Sequence, residues 1–176
     1  MTNTVRIGVA VAIPEPHASV LVGWRRRIGD PEADKIPPHV TLLPPTELDA
    51  DQLELVEKHL AEAASSVAPF TMRLSGTGTF RPISQVVFVQ VSSGIAECEV
   101  LEEAVRKPPI ERELVFPYHP HVTVGHDIPD AALDEAFDGL RDFVGQFSVG
   151  HFRMYFQDAD GTWHTHREFE LTGPGG

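Results

Sequence analysis

Two short segments of this sequence, PPHVTL and HPHVTV, contain side chains that can act as acids and bases. Their common tetrapeptide PHVT occurs twice, 82 residues apart. On a strand, residues i and i+2 point to the same face, so His39 lies beside Thr41 and His121 beside Thr123. If both pairs face one cleft, they supply a general acid, a general base and two hydroxyl donors for an anion. That set of groups is sufficient for phosphoester chemistry without a metal.

A lone H-x-[ST] pattern carries little information, because it occurs often by chance. His17-Ala18-Ser19 also matches it, but in a segment with helical periodicity, where residues i and i+2 do not share a face. The two PHVT copies share the proline, the apolar position and the threonine, and each begins a strand-like run. The functional hypothesis therefore rests on the two PHVT copies.

The composition is that of a globular protein with an acidic surface. The 176 residues carry a formal net charge of −12, which argues against the binding of long nucleic acid along its backbone. The single cysteine, Cys98, excludes an internal disulfide and has the helical spacing of a packed side chain. No apolar run approaches the roughly 20 residues that span a bilayer, and no signal peptide is evident. We expect a cytoplasmic monomer without membrane contact.

Apolar periodicity predicts the same order of elements in both halves of the chain. The first half is predicted to contain a strand at 4–13, a helix opened by Pro16, a strand at 39–43, a helix with an apolar stripe over 53–67 and a strand at 70–74. The second half is predicted to contain a strand at 86–91, a helix introduced by Gly94, a strand at 121–125, a helix opened by Pro129, and strands at 147–156 and 163–171.

Each half therefore reads β-α-β(HxT)-α-β. An offset of 82 superposes the motifs and aligns Val5–Val9 with Val87–Val91. After the motifs the offset falls to 77, which matches Phe70-Thr71 with Phe147-Ser148. A repeat of this kind indicates a duplicated structure.

We predict an α+β fold formed by a two-lobed, pseudo-two-fold duplication of this unit. Antiparallel sheets are expected to line a central cleft, with the helices outside. The whole chain, 1–176, is expected to form one domain, with repeat halves at about 1–83 and 84–172 and a tail at 173–176. The cleft between the lobes is the natural ligand site.

The paired H-x-T motifs, one in each half of a duplicated α+β chain, resemble those of the 2H phosphoesterase superfamily. The sequence is most similar to the branch of bacterial and archaeal RNA 2′,3′-cyclic phosphodiesterases, also called 2′-5′ RNA ligases. GTGTF at 76–80 and VVFVQV at 86–91 look like the loop and central strand of that branch. YHPH at 118–121 resembles its approach to the second motif.

This resemblance implies that His39 and His121 are the catalytic pair and that Thr41 and Thr123 bind the phosphate. The implied reaction is hydrolysis of a 2′,3′-cyclic phosphate, on an RNA end or a small nucleotide, to a 2′-phosphomonoester. The same chemistry in reverse would form a 2′-5′ RNA linkage. No metal and no cofactor are implied, and which histidine is the base stays open.

Two residues near the motifs are further candidates for substrate contact. Arg81 could neutralise the phosphate, and Tyr118 could stack on a base. A surface arginine and an edge tyrosine account for these two positions equally well.

Two other functions stay open at this point. A histidine-rich metal site could use His119, His121 and His126, or His164 with His166, because H-x-H on a strand puts two ligands on one face. Alternatively, a module with the same fold could bind nucleotides or cyclic phosphates without turnover. Metal analysis tests the first alternative, and a turnover assay with a cyclic nucleotide tests the second.

Overall fold

The computed structural model describes residues 3–175. Its strands are β1 (Thr4–Ala12), β2 (His39–Asp49), β3 (Phe70–Thr79), β4 (Val86–Ser93), β5 (His121–His126), β6 (Val144–Val149), β7 (His151–Gln157) and β8 (Trp163–Glu170). Its α-helices are α1 (His17–Arg27), α2 (Leu53–Ala64), α3 (Ile95–Val105) and α4 (Asp130–Gly139), and a single 3₁₀ turn at Ala50–Gln52 precedes α2. The predicted order of strands and helices is confirmed except at 147–156, where the single predicted strand is instead two strands, β6 and β7.

All eight strands form one antiparallel sheet in the order β6-β3-β4-β5-β2-β1-β7-β8. Only Gly150 separates β6 from β7 in sequence, yet these strands lie towards opposite ends of that order. The sheet must therefore curl into a half-barrel. The fold class is mixed α+β, as predicted, although the two expected sheets are joined into one.

Two strand pairings relate the halves by an approximate two-fold axis. Val40 of β2 lies opposite Val122 of β5, and each is the central valine of its PHVT motif. Thr71 of β3 lies opposite Ser148 of β6, and these positions are the ones matched by the offset of 77. A residue that pairs with its own repeat equivalent lies at a two-fold axis, so both pairs mark it.

The two lobes exchange strands between the sequence halves. β3 comes from the first half but pairs with β4, and β7 comes from the second half but pairs with β1. We call β2-β1-β7-β8 the first lobe and β6-β3-β4-β5 the second lobe. Because each lobe contains strands from both halves, neither can complete its sheet from one half of the chain.

The register next to the motifs differs from the alignment expected for β1 and β4. His39 pairs with Ala12, whereas His121 pairs with Gln90, 78 positions after Ala12. The offset of 82 for these strands is therefore wrong by four residues at the motifs, and the two pairings have a register shift at equivalent positions, Val9/Ala10 and Val87/Phe88. A register shift by an even number of residues leaves each side chain on the same face of the sheet, so the predicted orientation of each side chain is unchanged.

β2 and β3 continue beyond their predicted ends, because β-bulges accommodate residues that usually stop a strand. Pro44 and Pro45 lie between Leu43 and Thr46, where the β1–β2 register shifts. The ladder is interrupted at such a shift, so the missing N–H of a proline costs no ladder hydrogen bond there. Gly76 has a φ of 72° and lies at a shift in the β3–β4 register. A positive φ is readily available to glycine, so the GTG segment bends within the strand instead of ending it.

Side-chain alternation divides the sheet into a helix-covered face and an open face. Ile7, Val9 and Val11 of β1 are buried in the main core under the helices. Gly8 and Ala10 point the other way, and Ala10 belongs to a separate small cluster with Tyr155 and Trp163. α2 and α3 pack on the first lobe, whereas α1 and α4 pack on the second. The open face is therefore the one on which a ligand can bind.

The cysteine of α3 lies in the protein core. Cys98 is fully buried in the main core, and burial raises the pKa of its thiol to about 12. The thiol therefore stays protonated at neutral pH and is a packing group, as predicted. Among residues 3–175, no helix is long and apolar enough to cross a membrane.

Candidate active site

His39 and His121 are the first residues of β2 and β5, and both imidazoles are anchored in the same way. Nδ1 of His39 lies 2.7 Å from the carbonyl oxygen of Pro37, and Nδ1 of His121 lies 2.6 Å from that of His119. A carbonyl oxygen can only accept, so Nδ1 carries the proton and donates in both cases. This bond to the residue two positions earlier fixes each ring and leaves Nε2 free for proton transfer.

The Val40–Val122 pair brings the two motifs together along one seam between β2 and β5. In an antiparallel ladder, the residue before one member of a pair lies opposite the residue after the other member. His39 therefore lies beside Thr123, and Thr41 beside His121. The two histidines are diagonal neighbours, with a spacing of about 7–8 Å in a regular ladder. Two imidazoles at such a spacing can flank one phosphate group.

Burial holds both imidazoles towards their neutral forms. The pKa of His39 is lowered to about 4, mainly by desolvation. The hydrogen bond to the carbonyl of Pro37 partly opposes this lowering, whereas the charges of Arg25 and His121 add to it. Desolvation also lowers the pKa of His121, with a smaller opposing contribution from the carbonyl of His119. A proton on His121 therefore disfavours a proton on His39, so the pair is suited to hold a single proton.

The imidazole of His39 lies against an indole from the far end of the chain. The ring centroids of His39 and Trp163 are 4.6 Å apart with an interplanar angle of 34°, and Trp163 also contacts the ring of Tyr155 at 5.0 Å. The Tyr155 hydroxyl and the Trp163 Nε1 are both buried without a hydrogen-bond partner among the described residues. The sequence pattern identifies Trp163 only as the start of the last predicted strand and does not indicate its position against His39.

The imidazole of His121 lies among other aromatic rings. Phe80 and Phe88 each lie 5.0 Å from it, and His119 lies 5.6 Å away. Phe80 follows β3, and Phe88 faces Thr123 across the β4–β5 pairing. The GTGTF segment was noted in the sequence, but nothing in its pattern identified Phe80 as a neighbour of the second motif.

Thr41 and Thr123 are partly buried on the open face, and their hydroxyls have no hydrogen-bond partner within residues 3–175. Tyr118 contacts this region through its own hydroxyl, which donates to the backbone carbonyl of Thr41 at 2.7 Å. Burial raises the pKa of Tyr118, so its hydroxyl stays a donor. Tyr118 thus ties the segment before the second motif to the first motif.

A cavity of about 610 Å³ opens from this region. Thr41, Phe80, Tyr118 and His121 are among the residues that line it, whereas His39 and Thr123 are not.

The family assignment follows from comparison with known proteins. The model of the 2′-5′ RNA ligase superfamily matches residues 13–161, which is most of the chain. The chain belongs to the 2′-5′ RNA ligase superfamily. The resemblance to 2H phosphoesterases drawn from the two motifs is thereby confirmed.

Relatives and solved structures of similar shape agree with this membership. A Bacillus mycoides protein, named as a phosphoesterase without a stated substrate, is 32% identical over 151 residues, covering 85% of this chain and 87% of its own. E. coli LigT, solved with NADP+, superposes with a TM-score of 0.69 at 24% identity, covering 97% of this chain and 99% of LigT. A second LigT structure, with 3′-AMP, gives 0.71 at 22% identity over the same shares. A Thermus thermophilus protein gives 0.62 at 24% identity, covering 96% and 98%.

In this member of the superfamily, Arg81 lies close to the second lobe but is engaged elsewhere. Its guanidinium donates to Asp134 at 2.8 Å and to the Thr79 hydroxyl at 3.1 Å, with Asp130 at 3.6 Å. Arg81 does not line the cavity beside His121. These contacts argue against the predicted role of Arg81 in neutralising a phosphate, because two α4 carboxylates already neutralise it.

A different arginine occupies the open face of the first lobe. Arg153 of β7 lies opposite Ala10 of β1, and Ala10 lies opposite Thr41 of β2. These three residues form one row across neighbouring strands, with the small Ala10 between the arginine and the motif threonine. Arg153 binds Glu168 at 3.0 Å and is one-third exposed. No local sequence pattern identifies Arg153, because the row depends on the exchange of β7 into the first lobe.

The histidine sets considered as metal ligands do not converge. His121 and His126 lie at opposite ends of β5, about 17 Å apart at the usual strand rise. His164 lies 2.7 Å from Asp158, whereas His166 lies 3.1 Å from Glu57 of α2. These distances argue against the alternative of a histidine-rich metal site in either set.

Another group of possible metal ligands lies away from the seam. His151, Glu168 and Glu170 have ligand atoms within 4.8 Å of one another at the β7–β8 end of the sheet. Arg153 already binds Glu168, so this cluster carries an internal counter-charge.

Proposed function

We propose that this protein is a 2H phosphodiesterase that hydrolyses a 2′,3′-cyclic phosphate to a 2′-phosphomonoester. Membership of the superfamily supports a phosphodiesterase-type activity. The observation that carries the specific proposal is the Val40–Val122 pair, which sets the imidazole of each motif beside the hydroxyl of the other. The catalytic groups are His39 and His121, with Thr41 and Thr123 as phosphate ligands.

The reaction needs one proton acceptor and one proton donor on opposite sides of phosphorus. One imidazole takes a proton from water through its free Nε2, and the water oxygen forms a new bond to phosphorus. The bond from phosphorus to the ribose 3′ oxygen breaks, and the other imidazole gives its proton to that oxygen. The reaction leaves a 2′-phosphate and a 3′-hydroxyl, and the proton balance is restored through solvent.

The hydroxyls of Thr41 and Thr123 are suited to stabilise charge on the nonbridging oxygens. Both are free to donate within the described residues, and both lie on the face that carries the imidazoles. Donors that are already positioned need no reorganisation when charge develops in the transition state. These four groups supply an acid, a base and anion contacts, so the proposed reaction requires no metal and no cofactor.

The proposed substrate is a nucleotide or an RNA end that carries the cyclic phosphate. E. coli LigT has been solved with 3′-AMP and with phosphate, which supports a nucleotide phosphate as the ligand class. The net charge of −12 disfavours contact with a long polynucleotide backbone. With an RNA 5′-hydroxyl as the attacking group, the reverse reaction would form a 2′-5′ linkage.

Turnover of 2′,3′-cyclic AMP in excess chelator tests this proposal, with chromatographic separation of 2′-AMP from 3′-AMP. We expect undiminished turnover and 2′-AMP as the product. Activity that disappears in chelator and returns with zinc or manganese would contradict it and favour metal catalysis. Tight binding of the nucleotide without turnover would instead favour a binding module.

A further inference from the structure

The cavity beside His121 has a mostly apolar wall. Thr41 and His121 line it, together with residues from the first half of β2, the segment after β3 and the segment before β5. The apolar members that form most of the wall beyond β2 are Phe80, Ile83, Leu114, Val115, Phe116 and Tyr118. Its volume of about 610 Å³ lies within the range of small-molecule sites, roughly 300–1,000 Å³.

Large apolar side chains around this cavity are exposed to water. Val115 is 87% exposed, Ile83 79% and Phe116 66%, and all three line the same cavity. Single exposed apolar residues are ordinary, but a cluster around one opening marks a binding site. Because His121 and Thr41 are among the residues that line the cavity, its occupant is the part of the substrate attached to the reacting phosphate.

The charges of the cavity select against a polyanionic occupant. Glu102 and Glu113 line it, and the guanidinium of Arg106 is bound to Glu102 at 2.6 Å. Arg112 also lines it and donates to the Thr46 hydroxyl at 3.1 Å. Two carboxylates offset the two guanidiniums, so the cavity offers no net charge to a run of phosphates. A flat, uncharged aromatic group is the ligand that such an apolar wall binds most favourably, because it can stack on the aromatic side chains.

We propose that this cavity binds the single nucleobase of a mononucleoside 2′,3′-cyclic phosphate, with Phe116 as a stacking surface, and that the substrate is a free mononucleotide and not the end of an RNA chain. This inference rests on the proposed function, because it assumes that the cyclic phosphate lies between His39 and His121. The base then extends along Phe80 and Tyr118 towards Phe116, and a further nucleotide would meet the exposed carboxylate of Glu113.

A substrate-truncation experiment tests the inference. The kcat/KM values of wild type and Phe116→Ala are measured on three substrates: 2′,3′-cyclic AMP, the base-free 1-O-methylribose 2,3-cyclic phosphate, and a ten-residue RNA ending in a 2′,3′-cyclic phosphate. Phe116 is 66% exposed, so its truncation removes little packing. Val20→Ala, which shortens a 45% exposed residue of α1 away from this cavity, is the matched control.

We expect Phe116→Ala to lower kcat/KM for cyclic AMP by about 5- to 100-fold, the range that one base–aromatic stack typically contributes. The base-free substrate should change less than about twofold, and Val20→Ala should change neither. Wild type should also prefer cyclic AMP to the RNA.

Equal losses on cyclic AMP and the base-free substrate would overturn the inference, because Phe116 would then not contact the base. The inference would also be overturned if wild type preferred the RNA and Phe116→Ala did not diminish that preference. That outcome would leave the proposed function intact. Failure of wild type to turn over any of the three substrates would remove the proposed function itself, and this inference with it.

Discussion

The indole of Trp163 lies against the imidazole of His39, with ring centroids 4.6 Å apart. Trp163 begins β8, the last strand of the first lobe, and His39 begins β2. The contact covers one face of the imidazole and contributes to the burial that lowers the pKa of His39 to about 4. A residue from the far end of the chain therefore helps to set the protonation state of the first motif.

Replacement of Trp163 by leucine should shift the protonation of His39 without removing a reacting group. Water would reach the imidazole, so its pKa should rise towards the ordinary value of about 6.5. The acid limb of the kcat/KM profile should move to higher pH by about one unit or more, whereas Trp163→Phe should keep it near the wild-type position. An unchanged acid limb in a folded Trp163→Leu protein would show that the indole does not tune His39.

The pH dependence of wild type should reflect two lowered histidine pKa values. Catalysis needs one protonated and one neutral imidazole, so kcat/KM peaks between the two apparent pKa values of the pair. Desolvation lowers both, that of His39 to about 4. The maximum for the free enzyme should therefore lie below about pH 6.5 and above about pH 4, with a decline of about tenfold per unit on the alkaline side. A kcat/KM that still increases above pH 8 would contradict the paired-histidine account.

Arg153, which binds one carboxylate and lies in the row of Thr41, should contribute more positive charge to the substrate phosphate than Arg81, which is flanked by two carboxylates. Arg153→Met retains the aliphatic stem but removes the charge, and we expect it to raise KM by about tenfold or more. Arg81→Met is the matched control, because the Arg81 guanidinium is bound by Asp134 and Asp130. Its KM should stay within about twofold of wild type. A large KM effect at Arg81 with none at Arg153 would restore the assignment made from the sequence.

The motif threonines should matter less than the histidines. Thr41→Val and Thr123→Val keep the shape of the side chain but remove the hydroxyl donor. We expect kcat to fall by about 10- to 100-fold in each, since a hydrogen bond to a charged group contributes about 1.5–3 kcal/mol. Steady-state kinetics on 2′,3′-cyclic AMP measures the effect. A KM change with an unchanged kcat would assign the hydroxyls to ground-state binding instead.

The helices and the four motif residues could be predicted from sequence because their signals are local. The stripe of Val56, Leu60 and Ala63 specifies the buried face of α2 without reference to the rest of the chain. The motif residues stood out because the same tetrapeptide occurs in both halves. Even a four-residue error in the register of β4 left them correctly oriented, since strand side chains repeat every two residues.

The parts of the site that come from distant strands could not be predicted. Trp163 reaches His39, and Arg153 enters the row of Thr41, only because β7 and β8 join the first lobe. Nothing in a local pattern reports that exchange of strands. The ion pair of Arg81 could not be predicted either, because the α4 carboxylate that binds its guanidinium lies 53 residues away in sequence.

The central claim is that His39 and His121 act as one acid–base unit, and kcat/KM for 2′,3′-cyclic AMP in the two alanine variants tests it most directly. The His39→Ala and His121→Ala proteins, with circular dichroism spectra like that of wild type, should each lose about 10²–10⁴-fold. The double variant should be little worse than either single one, because the residues work together. His126→Ala, at the far end of β5, is the matched control and should keep full activity. A folded His121→Ala protein that hydrolyses the substrate at near wild-type rate would contradict the account.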